Sequence, residues 1–411
     1  MFRLITTGWL CAVLAFGPAI AVAAPSEVEA ATPAGLSAIV SSIINENPTI
    51  ASAQARLRAA QARAEGAGLW RYNPEIEYER ENTDVRTETV GVSQTVEWLS
   101  KPAARGRAAD SRAEGFALEL ASIRQQVIAE VLSGFVLVDQ QREALELASK
   151  RTQSMSRFAE LSERLLREGD ISPSEVQAAR LAAAQAAMEE QVAVTEVSSA
   201  EQELAELTGF SPITWPRFGN VLPEPLNVDD VDIDRLPSVL AARHVREAAE
   251  QDVNVARWER VPDPSFGVRW GDEGDSDLFG FSVSIPIPVL NSGRSEVAAS
   301  RAEAVSAAAE LQSAQRSATA RLRETVRRYE ALRTSQSLWQ KDGEDALAQQ
   351  TDLLERRLRG GDIGAVEYLV QLQQIYDAQT SSIELHGQAW TAWFQLLEAA
   401  GYVENWIGTE Q

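Results

Sequence analysis

Cysteine occurs once in this chain of 411 residues, as Cys11, inside an apolar run at the N-terminus. Arg3 precedes that run. It extends from Leu4 to Ala24, is broken by Gly17 and Pro18, and ends in the small residues Ala21-Val22-Ala23-Ala24. A basic start, an apolar segment and an A-x-A site have the form of a secretory signal peptide. Cleavage is expected after Ala23, because Pro25 disfavours cleavage one residue later; an uncleaved anchor is the alternative. Cys11 is poorly placed for lipidation, since Leu10 stands where a small residue is wanted and the position comes early in the run. A mature chain without residues 1–23 therefore has no cysteine, which excludes disulfide, thiolate-ligand and lipidated-thiol chemistry.

Other scarcities exclude further classes. Histidine occurs only as His244 and His386, and Met155 and Met188 are the methionines of the mature chain. That is a poor inventory for soft-metal or imidazole chemistry. Positive charge is in deficit: 38 Lys+Arg stand against 60 Asp+Glu, a net charge of −22 that becomes −23 without Arg3. Such a balance argues against nucleic acid and against adhesion to anionic lipid. No phosphate-binding loop, cofactor fingerprint or catalytic triad is visible, so neither an enzyme nor a cofactor is expected. After Ala24 no stretch approaches the ~18 consecutive apolar residues of a membrane helix.

What is present is a repeat. LREGDI at 166–171 returns as LRGGDI at 358–363, with the two GDI copies 192 residues apart. SRAE at Ser111–Glu114 returns at Ser300–Glu303, and Gly91 matches Gly280, both at an offset of 189. Pro48 and Pro237 share that offset, and Asn73-Pro74 and Asp263-Pro264 are 190 apart. The chain therefore divides into a tail at 24–34, a first repeat at 35–210, a Pro- and Asp-rich joint at 211–234, a second repeat at 235–402 and a tail at 403–411. Repeats dictate architecture.

Each unit reads helix, strand, strand, long helix, turn, long helix. Helices are expected at about 35–70, 102–168 and 173–208, echoed at 236–260, 293–359 and 365–400, from stretches rich in Ala, Gln, Glu and Arg. A helix of ~65 residues is on the order of 100 Å long, which implies a coiled-coil-like assembly or a device that spans a distance.

Between the helices stand four runs with period-two alternation: EIEYER at 75–80, TVGVSQTVEW at 89–98, FGVRW at 266–270 and FGFSVSIPI at 279–287. One face of each is aromatic or β-branched. The other carries Gly, Ser, Thr, Arg269 and the acids Glu75, Glu77, Glu79 and Glu97, the candidates for a wet lumen. A lipid-facing strand must belong to a closed barrel. Four strands are too few, since single-chain barrels start at about eight. If these strands meet lipid, several chains must share one barrel, and three would supply twelve strands. A small sheet packed on helices is the plainer reading.

The repeated turn has its own grammar. Arg167 and Arg359 fall in the last turn of a helix, where a cation suits the dipole, and Gly169 and Gly361 fit the left-handed position after it. Ser172-Pro173-Ser174-Glu175 reads as a capping box with Pro at the first helical position. Gly364 and Glu367 take the corresponding places in the second copy, with Ile171/Val176 and Ile363/Tyr368 as staple pairs. Asp170 and Asp362 complete the exposed candidates. Glu175 and Glu367 either serve as caps alone or line the mouth of a tube, where rings of carboxylates favour cations.

These segments resemble the outer-membrane efflux proteins of the TolC type over nearly the whole mature chain. The reversals LREGDISPSEVQAAR and LRGGDIGAVEYLVQLQ carry the resemblance, with the strand segments VGVSQTVEWLSKPAARGRAA and FGFSVSIPIPVLNSGRSEVAASRAE. NPEIEYERENT and PDPSFGVRW look most like the heavy-metal resistance, CzcC-like, branch. The resemblance implies a mainly α fold with a small β part: a homotrimer whose duplicated long-helix hairpins form an α-barrel through the periplasm, under a shared twelve-stranded transmembrane β-barrel in the outer membrane of a Gram-negative bacterium. It implies a passive exit duct that meets a periplasmic adaptor (membrane fusion) protein and an inner-membrane pump of the proton-driven RND type. The cargo would be cobalt, zinc, cadmium or copper; organic drugs or secreted small molecules are the alternative. Adaptor docking falls to Arg167, Gly169, Asp170, Arg359, Gly361 and Asp362, and the aperture to Glu175 and Glu367. Val370 stands where some members carry a second aperture acid.

A periplasmic coiled-coil or adaptor protein is the competing class. An adaptor would show one hairpin and separate β-rich domains, and a structural rod would not need four strands with aromatic faces.

Overall fold

The computed structural model describes residues 33–82, 84–98, 100–209, 216–360 and 362–408. The expected signal peptide with Cys11, the tail as far as residue 32, the first residues of the joint and Gly361 lie outside the described residues.

The first expected helix is two. Helix α1 (Pro33–Glu46) and α2 (Pro48–Ala67) break at Asn47, whose extended backbone is what a residue before proline prefers. The Asn47 side chain accepts from the amides of Thr49 (2.9 Å) and Ile50 (3.2 Å), and Pro48 takes the first helical position, where it gives up no hydrogen bond. Strands β1 (Glu75–Asn82) and β2 (Arg86–Thr95) follow, then α3 (Ser100–Glu168) and α4 (Pro173–Thr208). The second repeat runs through α5 (Pro237–Glu259), β3 (Ser265–Glu273), β4 (Ser276–Ser284) and α6 (Arg294–Leu338). At 69 residues, α3 is about 100 Å long. Its second-repeat counterpart is interrupted. A π-helical turn, Trp339–Gly343, separates α6 from α7 (Glu344–Gly360), and α8 (Ala365–Ala400) returns.

Two apolar clusters sit along this length. The larger gathers Ile128, Leu132 and Phe135 of α3, Leu204 of α4, Tyr329 of α6 and Phe394 of α8, all essentially without solvent contact. Each large side chain buried there contributes about 1.5–3 kcal/mol, so this region anchors the helices. The segment 403–407, set apart above as tail, is a short helix, α9 (Val403–Ile407), whose Val403 and Ile407 are buried in the same cluster. The joint is docked as well. The Tyr329 hydroxyl donates to the Pro223 carbonyl (2.5 Å) and the Trp390 indole to that of Gly219 (3.1 Å). The smaller cluster lies toward the turns and includes Phe158 stacked on Tyr368 (ring centroids 4.7 Å apart). A stretch of α3 does reach the length and apolar composition of a membrane span, against expectation. Ile128, Leu132 and Phe135 of that helix are buried in the larger cluster, and Met155 and Phe158 in the smaller one.

The strands form one antiparallel sheet in the order β1-β2-β3-β4, with β2 and β3 joining the two repeats. Among the described residues, β1 and β4 are its open edges. The second and fourth strands are shifted from expectation: β2 ends at Thr95 and β4 at Ser284, so Val96, Glu97, Trp98, Ile285 and Ile287 fall beyond them.

Candidate functional site

Register sorts the sheet into two surfaces. Rows of paired residues read Ile76–Val92–Val268–Phe281 and Tyr78–Val90–Trp270–Phe279 on one face. Ile76 is 80 % exposed, Phe279 77 % and Trp270 50 %. A contiguous aromatic patch of this kind marks a surface that meets something other than water. Arg80, Glu88, Asp272 and Asp277 form the next row toward the hairpin ends and close the band with charge. Toward the helices the alternation Phe279, Phe281, Val283, Ile285, Ile287 continues past the end of β4. At ~3.4 Å per residue those eight steps cover about 27 Å along the chain. A tilt near 40° reduces that to roughly 20 Å, the scale of a barrel's apolar belt.

The opposite face is polar. Its rows read Glu75–Ser93–Gly267–Ser282, Glu77–Gly91–Arg269–Gly280 and Glu79–Thr89–Gly271–Leu278. Glu75, Glu77, Glu79 and Arg269 thus share one face of one sheet, and all four are exposed.

Glu97 departs from the expected placement. It lies beyond β2 and its side chain is 2 % exposed. Arg105 of α3 donates to both its oxygens (2.7 and 2.9 Å), and the Arg71 amide adds a third bond (2.9 Å). The Arg105 bond, assisted by Arg71, holds the carboxyl below its usual range against the opposing effect of burial. Glu97 is a structural tie between sheet and helix, because a buried carboxylate is kept only where donors surround it. Beside it stands a pair that the sequence reading missed. Lys101 donates to Asp263 (2.7 Å) and to the Val261 carbonyl (2.5 Å), with side chains 6 % and 11 % exposed. The available signal was rarity, since Lys101 is one of three lysines among 38 basic residues.

At the far end the first turn is built as its sequence suggests. Gly169 has φ +90°. Its amide bonds the Leu166 carbonyl (3.1 Å) and the Asp170 amide that of Leu165 (3.0 Å), the Schellman arrangement. Ser172 and Glu175 form the capping box, with the Ser172 amide donating to Glu175 (2.8 Å). These bonds from Ser172 lower the Glu175 pKa. In the second turn the Asp362 amide repeats the helix-ending bond, to the Arg357 carbonyl (2.9 Å). Glu367 is engaged differently: Arg357 (3.3 Å) and Gln371 (3.0 Å) donate to it. Arg167, Asp170 and Asp362 are exposed. Arg359 contributes backbone to the last turn of α7, and Gly361 lies outside the described residues. Among those residues, no group of three or more His, Asp or Glu is arranged to hold a metal ion.

The sequence profile described as outer membrane efflux protein matches residues 39–210 and 233–402, one match per repeat. The cobalt-zinc-cadmium resistance protein CzcC of Cupriavidus metallidurans is 28% identical over 275 residues, 64% of this chain and 65% of that protein. The pyoverdine export outer membrane protein OpmQ of Pseudomonas putida is 28% identical over 204 residues, 47% of this chain and 41% of its own length. Each match spans less than two thirds of the relative. The crystal structure of the Campylobacter jejuni CmeC outer membrane channel superposes with a TM-score of 0.78 at 15% identity, covering 90% of this chain and 86% of that one.

Proposed function

Because the chain belongs to the outer membrane efflux protein family, we propose that three copies form a passive exit duct. In this reading β4 of each copy pairs with β1 of the next. That pairing closes twelve strands in the outer membrane, while the helical hairpins extend the tube through the periplasm. One observation carries the reading: a sheet with an exposed aromatic face, a polar opposite face and two open edges. An isolated sheet of this kind leaves apolar surface in water and backbone groups unpaired, and closure between copies satisfies both.

The cargo is proposed to be divalent or monovalent heavy-metal cations, supported by the likeness to CzcC and by the net charge of −22. Acidic walls concentrate cations by focusing the field. The ions would cross hydrated, and energy would come from a proton-driven inner-membrane pump acting through a periplasmic adaptor at the turns. Export of a secreted organic molecule is the second reading, supported by the likeness to OpmQ. Deleting the gene and comparing survival on Co²⁺, Zn²⁺, Cd²⁺ and Cu⁺ with survival on hydrophobic drugs separates the two. Sensitivity to drugs with no sensitivity to metals overturns the metal reading, and a monomer in the soluble periplasmic fraction overturns the duct.

A further inference from the structure

Among the described residues, Arg269 is the one cation on the polar face of the sheet. The strands place it with care. In the first repeat the residue paired with Gly91 is Glu77, and in the second the residue paired with Gly280 is Arg269. The same place in each repeat thus carries opposite charge, and the row reads Glu, Gly, Arg, Gly across the sheet.

Arg269 does not lie symmetrically between its two glycines. A Cβ built on Gly280 would stand 2.8 Å from its Nε, 3.0 Å from its Cγ and 3.4 Å from its Cδ. On Gly91 a Cβ would meet the Val268 carbonyl oxygen at 3.4 Å, the Arg269 Cβ at 3.6 Å and the Glu77 Cβ at 3.8 Å, and no atom further along the Arg269 arm is among these nearest neighbours. The guanidinium arm therefore lies over β4, toward the open edge of the sheet, and away from the chain's own Glu77. Gly280 is the absence that makes room for it.

We propose that Arg269 pairs across the seam with a glutamate on β1 of the neighbouring copy. The inference rests on the shared barrel proposed above. The occupant of the open β4 edge is a second copy of this chain, on grounds of charge and parity. On its polar face β1 carries Glu75, Glu77, Glu79 and Glu81. A seam that keeps this face inward can slip only by an even number of residues, because an odd slip turns every side chain over. Over that range each even register sets a glutamate beside Gly280. Two strand spacings, roughly 9.6 Å, separate β3 from that β1. A long arginine and a glutamate close the gap because the intervening strand presents no side chain. Around twelve strands the charges alternate, and opposite charges meeting across a seam favour its closure, where like charges would resist it.

The test uses the full chain purified from outer membranes, with the temperature at which detergent-solubilised trimers dissociate as readout. Disulfide trapping of Ser282→Cys against each of Asn73→Cys, Glu75→Cys, Glu77→Cys and Glu79→Cys fixes the register; because the seam is antiparallel, the glutamate facing Gly280 is the one two residues beyond the trapped position. Arg269→Glu is expected to lower the dissociation temperature by several degrees, and Arg269→Gln by less. Reversing the glutamate thus found beside Gly280 to Arg should restore stability to the Arg269→Glu chain. Gly280→Ala should also loosen the trimer, and Gly91→Ala should leave it unchanged. A trimer that dissociates like wild type with Arg269→Glu, a failure of every cysteine pair to bond, or the reverse ranking of the two glycine variants overturns the seam pair. A wild-type chain that is monomeric in the membrane overturns the shared barrel instead.

Discussion

Glu97 and Arg105 form a two-pronged ion pair, at 2.7 and 2.9 Å, where the sheet joins the longest helix. The same guanidinium also donates to the Leu69 carbonyl just after α2 (3.1 Å). Three segments are thereby held at one carboxylate. Replacing Glu97 with Gln leaves Arg105 buried without its counter-charge, and removing one partner of such a pair costs on the order of 3–5 kcal/mol. The folded-state pKa of Glu97 is lowered, so its contribution is complete above the unfolded value near 4.5 and fades as pH falls through the folded value. Thermal unfolding of wild type and Glu97→Gln, compared from pH 7 down to pH 3, should converge at the acid end. Parallel curves would show that this pair carries none of the acid sensitivity.

The joint between repeats is predicted to be sensitive to mild acid. Nε2 of His386 lies 3.3 Å from the Phe218 carbonyl, and the Phe218 amide donates to Asp139 (3.0 Å). Burial pushes the His386 pKa down, opposed by the Phe218 contact and by Asp139. The folded chain therefore holds His386 neutral. Stability should fall as pH drops below about 6.5, the unfolded value, and level off once pH passes below the folded one. Burial raises the Asp139 pKa, which opposes this trend lower on the pH scale. Hydrogen exchange across 216–234 between pH 7.5 and 5.5 measures the effect, and His386→Gln should flatten it.

Glu175 and Glu367 should differ in function despite matching positions. Glu175 is committed to its cap with Ser172, whereas Glu367 meets Arg357 through side chains that are half exposed. If Glu367 faces the aperture, Glu367→Gln should reduce cation selectivity in planar bilayers, read as a smaller reversal potential across a KCl gradient. Glu175→Gln should leave selectivity unchanged and loosen the turn. Equal effects on selectivity would contradict the distinction.

Gly169→Ala should cost about 1–2 kcal/mol locally, because φ +90° crowds a Cβ. Faster amide exchange near Asp170 would report it. Arg167→Glu and Asp170→Lys alter exposed groups beyond that geometry. Site-specific cross-linking to the adaptor should weaken while trimer stability stays at the wild-type level. Undiminished cross-linking would move the docking surface elsewhere.

Local rules made much of this readable in advance. The bounds of α4 and α8, the helix-ending glycine at 169 and the Ser172 cap follow from interactions within a few residues, as does the aromatic face of the strands. Glu97 was misplaced for the same reason: alternation continues through Val96 and Trp98, and nothing local says that the strand stops at Thr95. Its partner Arg105 lies one helix start away, and Arg71 lies 26 residues back.

By itself the sequence determined the duplication, the order of elements and the two-faced character of the strands, because periodicity and capping are short-range properties. Only the tertiary structure decided that β2 and β3 join the repeats, that Arg269 leans over Gly280, and that Lys101 meets Asp263. Those relations depend on register and on pairs separated by as many as 162 residues in the case of Lys101 and Asp263, where packing of whole elements outweighs any local preference.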